Sequence, residues 1–364
     1  MGDVRRPSPA LRTIGAAAVV LVAGALLLKA FAGIDAGATW RALREAGRWA
    51  PLALLPFVLA MTLDAAGIGI LLGTLGRRVT LADVLPIRIA SEALHLTAPA
   101  GFVVADSATA ALLDARCGVP VDEGAVIAIA RKWLVMRAHA VYLAGGALVG
   151  AALLAGVSRR ALGGPWLPWA VGASGLAPLT LSLALGAGFR GRPAIVRLQE
   201  ALGRLPWRGL RARVARWRSG ALRTDAKLAL VGASRRATWM ACASFFGCWL
   251  CESVETAIIV RLVGGPLDLI FAMACEVGIS MLRSIGNVAP AGLGVQDAGY
   301  AVLFEAMGLP PHTTAAFVLL KRAKELVWIG VGYALLAVLR RPAAVAPAAT
   351  ARNQATRGVI ATSA

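Results

Sequence analysis

The sequence predicts an all-α protein, a polytopic transmembrane helical bundle of two inverted repeats, each holding a re-entrant helical hairpin. Three observations predict it. The 364 residues are 58% hydrophobic and 16% charged, with a mean hydropathy of +0.71, whereas soluble domains carry about 25% charge. Apolar runs long enough, at about 20 residues, to cross a hydrocarbon core about 30 Å thick recur along the chain. The stretch VAPAGLGVQDAG at 288–299 echoes an earlier one: a shift of 191 residues aligns Pro99 with Pro290, Gly101 with Gly292, Asp106 with Asp297, Pro120 with Pro311 and Arg131 with Arg322. Duplicated halves of this kind face each other across a site at mid-membrane in transporters.

Residues 1–36 comprise a basic amino terminus and a first span, Thr13 to Phe31, retained rather than cleaved because it is longer than a signal-peptide core. Repeat 1 covers 37–187. Its second span runs from Trp49 to Leu75 and carries Asp64. The segment 81–118 is apolar but broken by Pro86, Pro99 and Gly101, and it holds Glu92, His95 and Asp106. Each piece beside Pro99 is short for a full crossing, so a re-entrant hairpin is expected. A third span, Gly124 to Leu154, carries Arg131 and Lys132, and a fourth runs from Trp166 to Gly186. Residues 188–236 hold thirteen Lys/Arg against Glu200 and Asp225, with Trp207 and Trp217 interleaved. That composition suits an interfacial basic helix pair on an anionic leaflet, with a solvated connector as the alternative. Repeat 2 covers 237–341: a fifth span from Thr238 to Val263, the interrupted segment 267–308, and a sixth span from Thr313 to Leu339. The Ala/Thr/Pro-rich stretch 342–364 reads as a disordered tail.

Charge counting orients the chain. If both interrupted segments dip and return, one side holds 22 Lys/Arg and the other five, so both termini are expected in the cytoplasm. Three crossings then separate span two from span five, which makes the repeats inverted.

A charge within hydrocarbon costs at least ~2.5 to 3.5 kcal/mol, so such residues face a bundle interior or a wet cavity. At Pro99 and Gly101, and again at Asn287, Pro290, Gly292 and Gly294, a half-helix can restart and offer free N–H groups to an anion. With Asp106, Asp297, Arg131, Lys132, Lys321 and Arg322 these form the expected substrate-binding set. The structural alternative for Asp106 and Asp297 is a helix-start carboxylate satisfied by the dipole or a nearby Arg. Arg131 has Asp64 or Glu92 as candidate partners, and Lys321 has Glu325 at i, i+4. Asp64, which the same shift places opposite Glu255, joins Glu92, His95, Glu255 and Arg283 as a possible proton or charge relay. Packing is the alternative for His95. Pairing with Arg261 and Arg283 is the alternative for Glu252, Glu255 and Glu276.

The repeated P-x-G-x-x-x-x-[DE] element, whose second copy reads Pro290-Ala-Gly-Leu-Gly-Val-Gln-Asp297, resembles the lysylphosphatidylglycerol synthase transmembrane, or flippase-like, family, which includes hopanoid-associated membrane proteins. The family commonly shows Pro-Gly-Gly-Leu-Gly-x-Arg-Glu; here Ala291, Gln296 and Asp297 stand at the departing places. The resemblance covers most of residues 10–340. It implies a bacterial inner-membrane lipid translocator with paired re-entrant helices, acting on a phospholipid, a polyprenyl-linked lipid or a hopanoid. With the family's soluble aminoacyl-transferase domain absent, lysyl transfer is not expected.

Other classes fit less well. The net charge of +19 sits beside apolar runs, so anionic lipid headgroups are the expected partner and nucleic acid is not. Cys117, Cys242, Cys248, Cys251 and Cys275 suggest no disulfide framework, and the Cys248–Cys251 spacing reads as coincidence. No metalloprotease helix or phosphate loop is present, so neither an enzyme nor a cofactor nor a metal is expected. A proton-coupled small-solute transporter and a scaffold for lipid-modifying enzymes are the alternatives, and a homo-oligomer is compatible with both.

Overall fold

The computed structural model describes residues 34–98, 100–189, 193–203, 218–286 and 295–340. Among the described residues every regular element is helical. Helix α1 (Ala36–Ala46) passes through a 3-10 stretch (Gly47–Leu54) into α2 (Leu55–Thr74). Next come α3 (Leu81–Thr97), α4 (Gly101–Cys117), α5 (Val121–Val149), α6 (Ala151–Leu162) and α7 (Leu167–Phe189). After α8 (Ala194–Gly203) and α9 (Arg218–Ala233), the second half runs α10 (Arg235–Leu262), α11 (Leu269–Gly286), α12 (Val295–Ala306) and α13 (Pro311–Leu339). The predicted first span Thr13 to Phe31, the tail 342–364, and the motif residues Pro99, Asn287, Pro290, Gly292 and Gly294 lie outside the described residues.

Ala36–Thr74, Leu167–Gly186 and Arg235–Leu262 are long and apolar enough to cross a membrane. The first reaches further back than the predicted start at Trp49, since the 3-10 stretch keeps the chain helical through Arg48. The predicted third span is corrected. It ends at Val149, and the chain bends by 75° into α6 rather than running straight to Leu154. Gly150 sits at the bend against α11, where a side chain on it would press on Ala274.

In the first interrupted segment α3 and α4 pack together across a tight turn, and in the second α11 and α12 also pack together. Thr80 and Asp83 start α3 with a reciprocal capping box. The helix stops at Ala98, which is extended, as sterics dictate for a residue preceding proline. Ala100 then turns left-handed at φ 52° and Gly101 opens α4. A side chain on Gly101 would collide with the carbonyl oxygen of His95, so only glycine lets the chain fold back this tightly. The Thr109 hydroxyl donates to Ser91 Oγ at 2.9 Å, joining residues placed on either side of that turn. In the second copy Tyr300 on α12 donates to Glu276 on α11 at 2.5 Å.

The duplication is visible in the element boundaries. Shifting α5 (Val121–Val149) by 191 gives 312–340, one residue from α13 (Pro311–Leu339). The contacts are reciprocal: α2 packs along its counterpart α10, while α3 lies on α13 and α5 on α11. Small residues let these partners approach. An added Cβ on Gly67 of α2 would come 2.5 Å from the Phe245 ring of α10, and one on Gly332 of α13 would come 2.5 Å from the Ala93 Cβ of α3.

Of the connector, α8 and α9 pack together. The Asp225 carboxylate accepts from Ile195 and Val196 N–H, both at 2.9 Å, and so caps α8. Lys227 ties α9 to the start of α5 through Asp122 (2.6 Å) and Glu123 (3.3 Å), and Arg77 reaches Glu123 at 2.7 Å. The hydrogen bond to Asp122 raises the pKa of Lys227, and the one to Glu123 raises that of Arg77.

Candidate functional site

In repeat 1 four helices converge on one ionic cluster. Asp64 of α2 accepts from Arg131 Nε at 2.7 Å and Nη2 at 2.8 Å, and from Arg88 Nε of α3 at 2.7 Å. Arg88 also reaches Glu92 at 3.3 Å and Thr109 of α4 at 3.4 Å. Asp64 and Arg88 are fully buried. Buried charges persist only when paired and hydrogen-bonded, and Asp64 satisfies that with three donors. Asp106, on the second turn of α4, sits further off, 3.8 Å from Arg131 and 3.9 Å from Lys132. The Arg131 guanidinium lies 5.9 Å from the Phe245 ring of α10 in the other repeat.

Repeat 2 builds the same elements differently. Glu255, the counterpart of Asp64, is held by Lys324 at 2.7 Å and Lys321 at 3.5 Å. Glu276 accepts from Thr256 and Tyr300, each at 2.5 Å, and from Lys321 at 3.2 Å. Arg322, the counterpart of Arg131, grips Asp297 through Nη2 at 2.7 Å and Nε at 3.0 Å, and reaches Glu325 at 2.6 Å. Lys324 lies 5.6 Å from the ring of Phe57, which belongs to α2 of the other repeat. Each half therefore lends an aromatic ring to the other half's cations.

The structure brings together Asp64, Glu92, Asp106, Arg131 and Lys132 in one cluster. Glu255 and Lys321 meet in a second, and Asp297 pairs with Arg322. Gly101 stands at the first hairpin turn. His95 is exposed near that turn, which departs from its reading as a packing residue. Arg283 lies in α11 and its side chain is outside the described set. Two pairings are corrected. Glu255 and Glu276 pair with the α13 lysines, partners the sequence did not suggest, while the side chain of Arg283 lies outside the described residues. Glu325 pairs with Arg322 at i, i+3, since Lys321 turns inward. Sequence reasoning missed Arg88. An arginine between Ile87 and Ile89, one helical turn before Glu92, was the available signal. Among the described residues no group of three or more His, Cys, Asp or Glu could hold a metal ion.

Apolar helices of spanning length around internal ion pairs define a multi-pass helical membrane protein. The chain belongs to the family described as the lysylphosphatidylglycerol synthase TM region, whose model matches residues 15–346, and so to a family with a lipid-related function. No curated protein and no solved structure matches it.

Proposed function

We propose that this protein is a lipid carrier that moves an amphiphilic lipid with an anionic headgroup across a bacterial cytoplasmic membrane. The candidates are a phospholipid, a polyprenyl-linked lipid or a hopanoid. The observation that carries the reading is the duplicated ionic site: a hairpin carboxylate beside an arginine of the following long helix, Asp106 with Arg131 and Asp297 with Arg322. Charges kept inside an apolar bundle mark a route for polar cargo. Both hairpins are re-entrant in this reading, the halves are inverted so that one hairpin enters from each face, and both termini are cytoplasmic. The chain acts without a cofactor and performs no covalent chemistry on the lipid. Anionic headgroups are its partners, and self-association or a lipid-modifying enzyme is compatible with its surface.

Purified protein in liposomes carrying a leaflet-reporting fluorescent phospholipid tests this. Wild type should equilibrate the reporter between leaflets, and the double change Arg131→Ala, Arg322→Ala should slow that at least about tenfold, the scale of one lost ion pair. Absence of lipid movement by wild type would overturn the reading. The Lys321–Glu276–Glu255–Lys324 network favours one second reading, a proton-coupled small-solute carrier. Accumulation of solute driven by a pH gradient, without lipid movement, would favour it.

A further inference from the structure

The two ionic sites differ in a way that the repeat alone does not explain. Repeat 1 gathers three carboxylates, Asp64, Glu92 and Asp106, around three cations, Arg88, Arg131 and Lys132. The cluster is balanced, so an added anion in this low-dielectric interior is repelled unless one of the carboxylates leaves. Asp64 cannot leave: three hydrogen bonds of 2.7 to 2.8 Å hold it and its side chain is 3% exposed. Glu92 faces Arg88, whose side chain is equally enclosed. Asp106 is different. Glu92 is 21% exposed and Asp106 24%, but Glu92 is hydrogen-bonded to Arg88 at 3.3 Å, whereas both cation contacts of Asp106 exceed hydrogen-bond length.

Its surroundings suit a lipid. Lys132 is 44% exposed, and its ammonium lies 5.0 Å from the Phe102 ring. Phe102, Val103 and Val104 are exposed on the first turn of α4, and Phe102 stands one helical turn before Asp106 on the same face. Cationic groups thus adjoin an open apolar wall, as an anionic headgroup with acyl chains requires. Among the described residues repeat 2 is built differently at the matching place. Asp297 is 4% exposed under Arg322, and the position matching Lys132 is Ala323.

We propose that Asp106 is a displaceable counter-ion which keeps the place of a lipid phosphodiester on Arg131 and Lys132, so that repeat 1 alone is the loading site. This rests on the lipid-carrier reading and names its cargo class, a phosphodiester anion on an acylated glycerol. Loading exchanges one anion for another: Asp106 turns toward the aqueous opening as the phosphate takes its cations.

The test is calorimetric titration of the full chain in detergent with dihexanoyl phosphatidylglycerol, with dihexanoylglycerol as the uncharged analogue and inorganic phosphate as the soluble anion. Asp106→Asn should bind the phospholipid about tenfold tighter than wild type, a change of about 1.4 kcal/mol. Its affinity for dihexanoylglycerol should stay unchanged, and adding Lys132→Gln should erase the gain. An unchanged or weaker phospholipid affinity in folded D106N overturns the proposal. A gain for inorganic phosphate equal to that for the phospholipid overturns the lipid as its source. Should D106N fail to fold, K132Q alone carries the test: a tenfold loss of phospholipid affinity supports the site and no loss overturns it. The two readings fail separately. Wild type that moves no reporter lipid but shows the D106N gain loses the carrier reading and keeps the exchange site, whereas transport without the gain does the reverse.

Discussion

Arg131 closes on Asp64 with two hydrogen bonds of 2.7 and 2.8 Å, yet the residues 191 positions further on, Arg322 and Glu255, are bound to other partners. Arg322 is held by Asp297 and Glu255 by Lys324, so one architecture carries two ion-pairing patterns. In repeat 1 the arginine pairs with a carboxylate of the helix before the interrupted segment, and in repeat 2 with one inside that segment.

Asp64→Asn should be severe. It leaves Arg88 and Arg131 buried without their shared carboxylate, and breaking a buried pair costs about 3 to 5 kcal/mol. Thermal unfolding in detergent should show a large loss for D64N and a small one for D106N, in keeping with their different hold. Equal losses would mean that Asp106 is as firmly placed as Asp64.

Glu255 and Lys324 allow a separation of structure from function. Lys324→Met alone should destabilise by about 3 kcal/mol or more, and the double change with Glu255→Gln should recover most of it, since a neutral pair leaves no orphaned charge. If lipid movement returns with stability, the pair is structural. If only stability returns, Lys324 or Glu255 acts on the cargo.

The first hairpin turn should tolerate changes at its two positions unequally. Gly101→Ala drives a methyl group into the His95 carbonyl and should abolish lipid movement and lower the melting temperature. Ala100→Gly relieves a left-handed alanine and should stabilise by about 1 kcal/mol. Equal effects would place the bend elsewhere.

Gly67→Ala should cost about 1 to 3 kcal/mol by overpacking the α2–α10 seam. Phe245→Leu removes the atoms it would strike, so the double variant should unfold at a higher temperature than G67A. Additive losses in a double-mutant cycle would show that the two residues do not meet.

The link from Lys227 to Asp122 sets a pH expectation. Its folded pKa is raised, so its contribution is complete below the unfolded lysine value of about 10.4 and is lost as pH rises through the folded one. The difference in melting temperature between wild type and Lys227→Gln should therefore stay constant from about pH 7 to about pH 9. A gap that closes within that range would contradict the pairing.

The first turn and the helix order were legible because proline and glycine act locally. Pro99 forces Ala98 out of the helix, and Gly101 permits the close return. The pairing of Arg131 with Asp64 was within reach too, since few buried anions were available to it. Partner choice in repeat 2 was not legible: whether Lys321 meets Glu325 on its own helix or Glu276 on α11 depends on which way α13 is rotated, and that is decided by packing. The bend at Gly150 was hidden for the same reason, because apolar composition continues across it while the contact with Ala274 is tertiary. Arg88 escaped because its counterpart is Ile279, so comparing the two halves drew no attention to it.

The crossed seating of α3 on α13 and of α5 on α11 means that neither half covers its own helices. A cut in the connector should therefore leave two pieces that hold their shape only together. The same seating leaves each half free to carry its own side chains, as with Lys321 and Lys324 where the other half has Ala130 and Trp133.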